Sequence, residues 1–353
     1  MPIVTLYNHK GGVSKTTTTF NLAHYLVDDG KRVLLVDADS QCNLTELCMG
    51  TVIAELDALA EKTGIIQELP GSSILDALKP RIDGEVPVVD IDNIRTVELK
   101  PGLELIRGSV DLNSIEDDIS EAHSQRFAAR TNLMRTYVAI GDMLERLSSS
   151  RKYDYIFIDL GPSAGALTRS FFLACDAFFV PVAPDRFNVQ AISTLSAIVG
   201  RWLDEHSQIK NTYESFGLPV RHGSPIFLGA ISQFFKLYKG RPKPGFEVWM
   251  KRIPEQITTC LVPALARHST AEHVMCPWKP EQYIAAQIAD FGTLAPLMQE
   301  VGKAVFSISQ ADTALVTEAG GQWGGKTWTD AERRMESFKA SFKLLADRLA
   351  EVK

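Results

Sequence analysis

The sequence predicts an α/β fold: a doubly wound, mostly parallel sheet flanked by helices. Three observations carry that expectation. Short, wholly apolar runs recur at residues 33–36, 156–158 and 177–182, and a strand that is apolar on both faces belongs in a sheet covered on both sides. Stretches of helical spacing alternate with these runs, as crossover connections between parallel strands require. The first run, residues 2–7, also meets the first helical stretch, residues 18–27, through a glycine turn.

That turn reads Lys10, Gly11, Gly12, Val13, Ser14, Lys15, Thr16, Thr17. Two glycines let backbone N–H groups converge on an anion without interference from a Cβ. The helix that follows adds its positive end at the same place. In such a phosphate-binding loop Lys15 would sit on the β- and γ-phosphates and the Thr16 hydroxyl on Mg²⁺. The general pattern G-x-x-x-x-G-K-[ST] is not met, because His9 and Ser14 hold its glycine positions.

Gly30 closes the first helix, and residues 33–36 form the next buried strand, completing a β-α-β unit. It ends in Asp37 and Asp39. Ligands of open α/β sheets sit at the carboxyl ends of strands, and carboxylates there suit water activation and metal–water coordination. Residues 153–159 make a second apolar strand ending in an acid, Asp159, whose carboxylate would hold Mg²⁺ through water.

The chain has 353 residues, 45% hydrophobic and 23% charged, with a formal net charge of −6. That composition is globular, and the length suffices for a large core. The acidic total argues against wholesale charge-driven nucleic-acid binding but leaves room for a local basic patch. Five cysteines, Cys42, Cys48, Cys175, Cys260 and Cys276, form no C-x-x-C pair, which fits reduced thiols in the cytoplasm better than a zinc site. With the first residues running straight into a strand, no signal peptide is expected, and no apolar run reaches membrane-spanning length.

Elsewhere the pattern gives short helices at residues 56–62 and 73–78, and a polar, turn-rich connection at 80–87. Further helices are expected at 126–147, with a serine turn at 148–150, and at 190–203 and 284–301. Strands are expected at 102–106 and 227–232. Residues 329–352 carry apolar side chains in steps of three and four, with Thr329 as N-cap. Acidic residues spread through that last helix favour docking on the domain over lying in a membrane surface. Lys236, Lys239, Arg241, Lys243, Lys251 and Arg252 face a single acid, Glu247, with aromatic residues interleaved, a charge balance suited to a phosphate backbone. His268 and His273 read as structural or surface residues.

Taken together, these motifs resemble the ParA/MinD family of deviant Walker A ATPases. The loop is similar to K-G-G-x-G-K-[ST]-T, with Ser14 at the third glycine. Residues 37–45 resemble D-x-D-P-Q-x-N-x-T, with Ser40 at the proline. Residues 102–109 resemble G-L-x-L-I-P-G-S, and residues 161–165 the second switch, P-P-S-x-G, with Gly161 at its first proline. The likeness weakens beyond Asp185. It implies one ATPase domain over residues 1–353, with a variable segment at about 49–100. It further implies ATP and Mg²⁺ bound by residues 11–17, with Thr16, Asp37 and Asp159 at the metal and Pro184 near the nucleotide. Asp39 would position the attacking water, and Lys10 would reach across an ATP-bound homodimer to the partner's phosphate. A cytoplasmic protein that binds DNA non-specifically, with a ParB-like or cargo adaptor stimulating hydrolysis, is the family expectation. Two alternatives are a MinD-like membrane-associated positioning ATPase and a small-molecule ligase of the same P-loop class.

Overall fold

The computed structural model describes residues 2–238, 240–317 and 320–352. Its first half follows the alternation of apolar runs and helical stretches. Strand β1 (Ile3–Leu6), buried throughout, leads through the glycine loop into α1 (Lys15–Asp28). Gly30, at φ 81°, turns the chain into β2 (Val33–Ala38), the left-handed conformation that glycine adopts without a Cβ penalty. Helix α2 (Asn43–Thr63) buries only its first turns, and α3 (Ile74–Ile82) starts from a Ser73–Asp76 capping box. Strands β3 (Val97–Lys100) and β4 (Leu103–Ile106) form the antiparallel edge. Helices α4 (Glu116–Ser124) and α5 (Thr131–Arg151) precede β5 (Tyr155–Leu160). Helix α6 (Ala166–Ala174), β6 (Ala177–Val182) and α7 (Arg186–Ser215) complete this half.

The second half opens with β7 (Ile226–Phe235), then a hairpin of β8 (Leu237–Tyr238) and β9 (Arg241–Pro242). Three short helices follow, α8 (Pro244–Met250), α9 (Arg252–Gln256) and α10 (Val262–Ala266). Strand β10 (Ile284–Ala289), α11 (Leu294–Val301) and α12 (Gly325–Ala350) end the described chain.

Eight strands make one sheet in the order β10-β7-β6-β1-β5-β2-β4-β3, parallel except for β3 against β4. The predicted doubly wound sheet is therefore present, with β5 inserted between β1 and β2. Its central strands are buried on both faces. One face carries Leu34, Val36, Ile156 and Ile158 toward α5, α6 and α7, and the other carries Val33, Leu35 and Phe157 toward α1 and α12. Residues in register across β2 and β5 bring Asp37 beside Asp159 at the carboxyl ends of both strands.

Several expectations needed correction. Residues 284–301 are not one helix: 284–289 form β10 at the sheet edge, and the helix begins only at Leu294. Tertiary pairing with β7 overrides the weak helical spacing there. The serines 148–150 lie inside α5, and Pro80 sits inside α3. Thr329 is not the N-cap of the last helix, which starts four residues earlier from Gly324; its hydroxyl donates to the Gly325 carbonyl, 3.2 Å away. The turn-rich segment that follows α3 is also more fixed than its composition implied. Arg81, only 2% exposed, and Arg146 and Arg151 donate to the carbonyls of Val86, Val89, Ile91 and Ile94. Buried and half-buried guanidinium donors thus satisfy carbonyls that no strand pairs.

The last helix does dock on the sheet. Met335, Phe338, Phe342, Leu345 and Leu349 are buried against α1 and β10, and Ser341 donates to the Gln287 carbonyl at 3.0 Å. Burying side chains of this size contributes roughly 1.5–3 kcal/mol each. No helix among the described residues is long and apolar enough to cross a membrane.

Candidate functional site

The glycine loop is shaped from below by Asn8. Its side chain, 1% exposed, donates to the Pro181 carbonyl at 2.8 Å and accepts from the Lys10 amide at 3.0 Å. Gly12 has φ 70° and Ser14 has φ 56°, ψ 32°. Ser14, at the one position where the motif departs from glycine, thus holds the left-handed conformation that glycine favours. Its carbonyl accepts from Thr18 at 3.0 Å and opens α1. Lys15 is buried and folds back over the loop, donating to the carbonyls of Asn8 at 3.1 Å and Lys10 at 3.2 Å. Burial lowers its pKa, while the charges of Asp159 and Asp39 oppose the shift. Lys10 is exposed.

The carboxylates differ in their environments. Asp37 is fully buried; one oxygen accepts from the Thr45 amide at 2.8 Å and hydroxyl at 2.7 Å, the other from the Asp39 amide at 3.2 Å. Burial pushes its carboxyl up to about 6 against those hydrogen bonds. Its oxygens are therefore engaged in holding the loop that carries Asp39. Asp39 is 8% exposed and accepts from the Gln41 amide at 3.1 Å. It lies against Gly161, where an added Cβ would come within 2.8 Å of Oδ1.

Asp159 is buried with neither oxygen hydrogen-bonded. Burial, and next the Asp37 charge, push its carboxyl well above the ordinary range, while the Thr16 hydroxyl and Lys15 pull it back. A buried carboxylate with no well-formed hydrogen bond is costly. Together with the Thr16 hydroxyl it forms the hard-oxygen donor pair that a Mg²⁺-like cation takes. The residues present fit such an ion.

The loop and Asp39 open into a cleft of about 900 Å³ lined by residues 11–17, Asp39, Gln41 and Pro162, large enough for a nucleotide; Asp37 and Asp159 are not among its lining residues. Its far walls come from elements the motifs do not mark: Glu46, Gly50 and Thr51 of α2, Phe234 at the end of β7, and Pro296, Gln299 and Glu300 of α11. Phe234 carries φ 60°, and beside it Gln233 donates to the Thr18 hydroxyl at 2.8 Å. Nothing in the sequence pattern singles out these wall residues, since only the crossing of β7 and α11 over α1 brings them together. Pro184 is buried beyond β6 and is not among the residues lining the cleft.

The basic residues gather where β7 leaves the sheet. Lys236, Arg241 and Lys243 lie on or beside the β8–β9 hairpin, closed by the Lys243 amide on the Lys236 carbonyl at 3.1 Å. Lys251 and Arg252 follow α8, and the Arg252 guanidinium stacks over the Trp249 ring at 4.6 Å. All five are exposed; Lys239 lies outside the described residues. His268 bonds Asp204 at 2.8 Å and His273 the Ser224 carbonyl at 2.6 Å, so both are structural. The five cysteines are free thiols, and no cluster of three or more His, Cys, Asp or Glu placed to hold a metal ion occurs among the described residues.

A phosphate loop, two strand-end acids and a parallel sheet define a P-loop nucleotide-binding protein. A family model described as an AAA domain matches residues 1–211, and the chain belongs to that family, in its ParA/MinD-type branch. It is 32% identical over 199 residues to the chromosome partitioning protein ParA of Caulobacter vibrioides, covering 56% of this chain and 62% of the relative. It is 31% identical over 193 residues to the sporulation initiation inhibitor protein Soj of Bacillus subtilis, covering 55% and 62%. These matches span about three fifths of the relatives' length. Among solved structures, Cyanothece McdA aligns as the apo protein with TM-score 0.54 at 18% identity, over 97% of this chain and 99% of that one. It also aligns as an ATP complex with TM-score 0.52 at 17% identity, over 97% and 96%. That likeness concerns the fold.

Proposed function

We propose that the chain is an ATPase that dimerises on binding ATP, holds DNA non-specifically, and serves in DNA partitioning or cargo positioning. The observation that carries this reading is the loop itself: beyond the left-handed Ser14 turn, the Lys15 charge and the Thr16 hydroxyl both act on Asp159, a buried carboxylate with no well-formed hydrogen bond. Backbone amides of residues 11–16 would cradle the phosphates, with Lys15 as their buried counter-charge. Thr16 and Asp159 would hold Mg²⁺, which when bound neutralises phosphate charge. Asp39, seated against Gly161 beside the cleft, is positioned to orient a water.

Lys10 is exposed and borders the glycine residues that line the cleft, which supports a reach toward a second protomer. Supplied only in the dimer, that contact would make ATP favour dimerisation. The exposed basic hairpin beside the cleft supports a DNA backbone site, and the homology to partitioning proteins points the same way. Because α12 spends its apolar face on the sheet, a membrane-bound role loses its main support. The test compares Lys15→Ala with Lys10→Ala. Lys15→Ala should abolish ATP binding. Lys10→Ala should bind ATP yet lose dimerisation or turnover; unchanged sizing and turnover in Lys10→Ala would remove the shared-site mechanism.

A further inference from the structure

The chain from Gly108 to Glu116 touches both loops that flank Asp39. At its start, the Gly108 amide donates to the Thr45 hydroxyl at 2.7 Å, and that hydroxyl donates to Asp37 at 2.7 Å. In its middle, the Asn113 side chain donates to the Ser40 hydroxyl at 3.2 Å. At its end, Glu116 leaves its own helix and spans to the first turn of α6. One carboxylate oxygen accepts from the Ala166 amide at 2.6 Å, the other from Leu167 at 3.1 Å. Both are helix-terminal donors with no partner inside α6. Gly165 is shaped for this approach, since an added Cβ would overlap the Glu116 carboxylate.

The loop of residues 161–165 is thus held at both ends. Gly161 abuts Asp39, and the far end is fastened by Glu116. Between them the Ser163 hydroxyl accepts from Gly165 at 2.9 Å. We infer that Glu116 and Asn113 are positioning residues for hydrolysis: they brace the 161–165 loop and the Asp39 loop against each other, fixing the seat of Asp39 without touching the nucleotide. Glu116 is outside the cleft lining, so its removal acts on geometry rather than on ATP affinity. The inference rests on the ATPase reading for its kinetic consequence, but the brace itself can be measured without turnover.

The experiment has two arms. In amide hydrogen exchange on the full chain, Glu116→Ala should speed exchange at Ala166 and Leu167, and also at residues 163–165 and at Gln41, whose amide reports the Asp39 carboxylate. Faster exchange confined to Ala166 and Leu167 would reduce Glu116 to a helix cap and overturn the brace. In steady-state ATP hydrolysis, displacement of Asp39 by a fraction of an ångström should lower kcat about tenfold, with KM for ATP changed less than about threefold. Glu116→Gln, which keeps an acceptor, should recover most of the loss. Asn113→Ala, exposed and off the core, should lower kcat without lowering Tm. Unchanged kcat in both Glu116→Ala and Asn113→Ala would overturn the inference even with a shifted Tm. A wild-type protein without turnover would count against the ATPase reading, and the exchange arm would still decide the brace. Should Glu116→Ala not fold, Glu116→Gln and Asn113→Ala carry both arms.

Discussion

Gly161→Ala perturbs the reaction geometry with little change in the fold. Gly161 does not occupy the left-handed region, so alanine costs no backbone strain there. The added methyl would meet Asp39 Oδ1 at 2.8 Å and Cγ at 3.0 Å, roughly half an ångström or more inside ordinary contact. Asp39 has a short side chain whose Oδ1 is already tied to the Gln41 amide, so relief requires moving the carboxylate and that loop. Misplacing a reacting group by 1 Å can cost about a hundredfold, so a displacement of half that predicts a loss on the order of tenfold in kcat. That loss corresponds to about 1.4 kcal/mol of barrier. ATP binding, which falls to the glycine loop and Lys15, should stay within about twofold. The assay is steady-state phosphate release beside titration with a fluorescent ATP analogue. A Gly161→Ala protein with wild-type kcat would show that the Asp39 seat does not govern hydrolysis.

Three other outcomes follow from the same coordinates. Ser14→Gly removes a left-handed strain of about 1–2 kcal/mol but adds about 0.5–1 kcal/mol of unfolded-chain entropy, so thermal unfolding should show no loss and up to about 1.5 kcal/mol of gain; a clear destabilisation would mean that the serine stabilises the loop by another route. His206 accepts from the Tyr137 hydroxyl and bonds the Arg221 carbonyl, and burial holds it down at about 4, below its ordinary 6.5. The unfolded chain therefore binds the extra proton first: stability is full above about pH 6.5 and falls as pH drops toward 4, by up to about 3 kcal/mol. Denaturant titrations at pH 7 and pH 5 should show this, with a shallower dependence in His206→Gln; equal slopes would count against a buried neutral imidazole. Arg241→Glu with Lys243→Glu should weaken DNA retention across sequences and flatten its salt dependence, and retention indifferent to both would remove the hairpin from the DNA site.

The centre of the sheet was legible because its strands are apolar on both faces and two of them, β2 and β5, end in acids, a pattern that needs no tertiary information. The loop was legible for the same local reason: Gly12, Ser14, Lys15 and Thr16 are consecutive or nearly so. What the sequence could not disclose came from long-range pairing. Residues 284–289 carry an apolar spacing that also suits a helix, and only the free edge of β7 makes them a strand. Phe234 and Gln299 line the cleft from β7 and α11, far apart in the chain, and Glu116 reaches from α4 to the first turn of α6 outside it. The resemblance to D-x-D-P-Q-x-N-x-T placed Asp37 at the metal, and the structure adds what the motif does not disclose: its oxygens accept from Thr45 and from the Asp39 amide.

Nucleotide-switched association is tested most directly by DNA capture followed by sizing, with Mg²⁺ and either ATP or ADP. Wild-type protein should run as a dimer and stay on DNA with ATP, and return to monomer and leave with ADP. A protein that remains monomeric with ATP, or that binds DNA equally with both nucleotides, would contradict a switch seated in the Lys10–Thr17 loop.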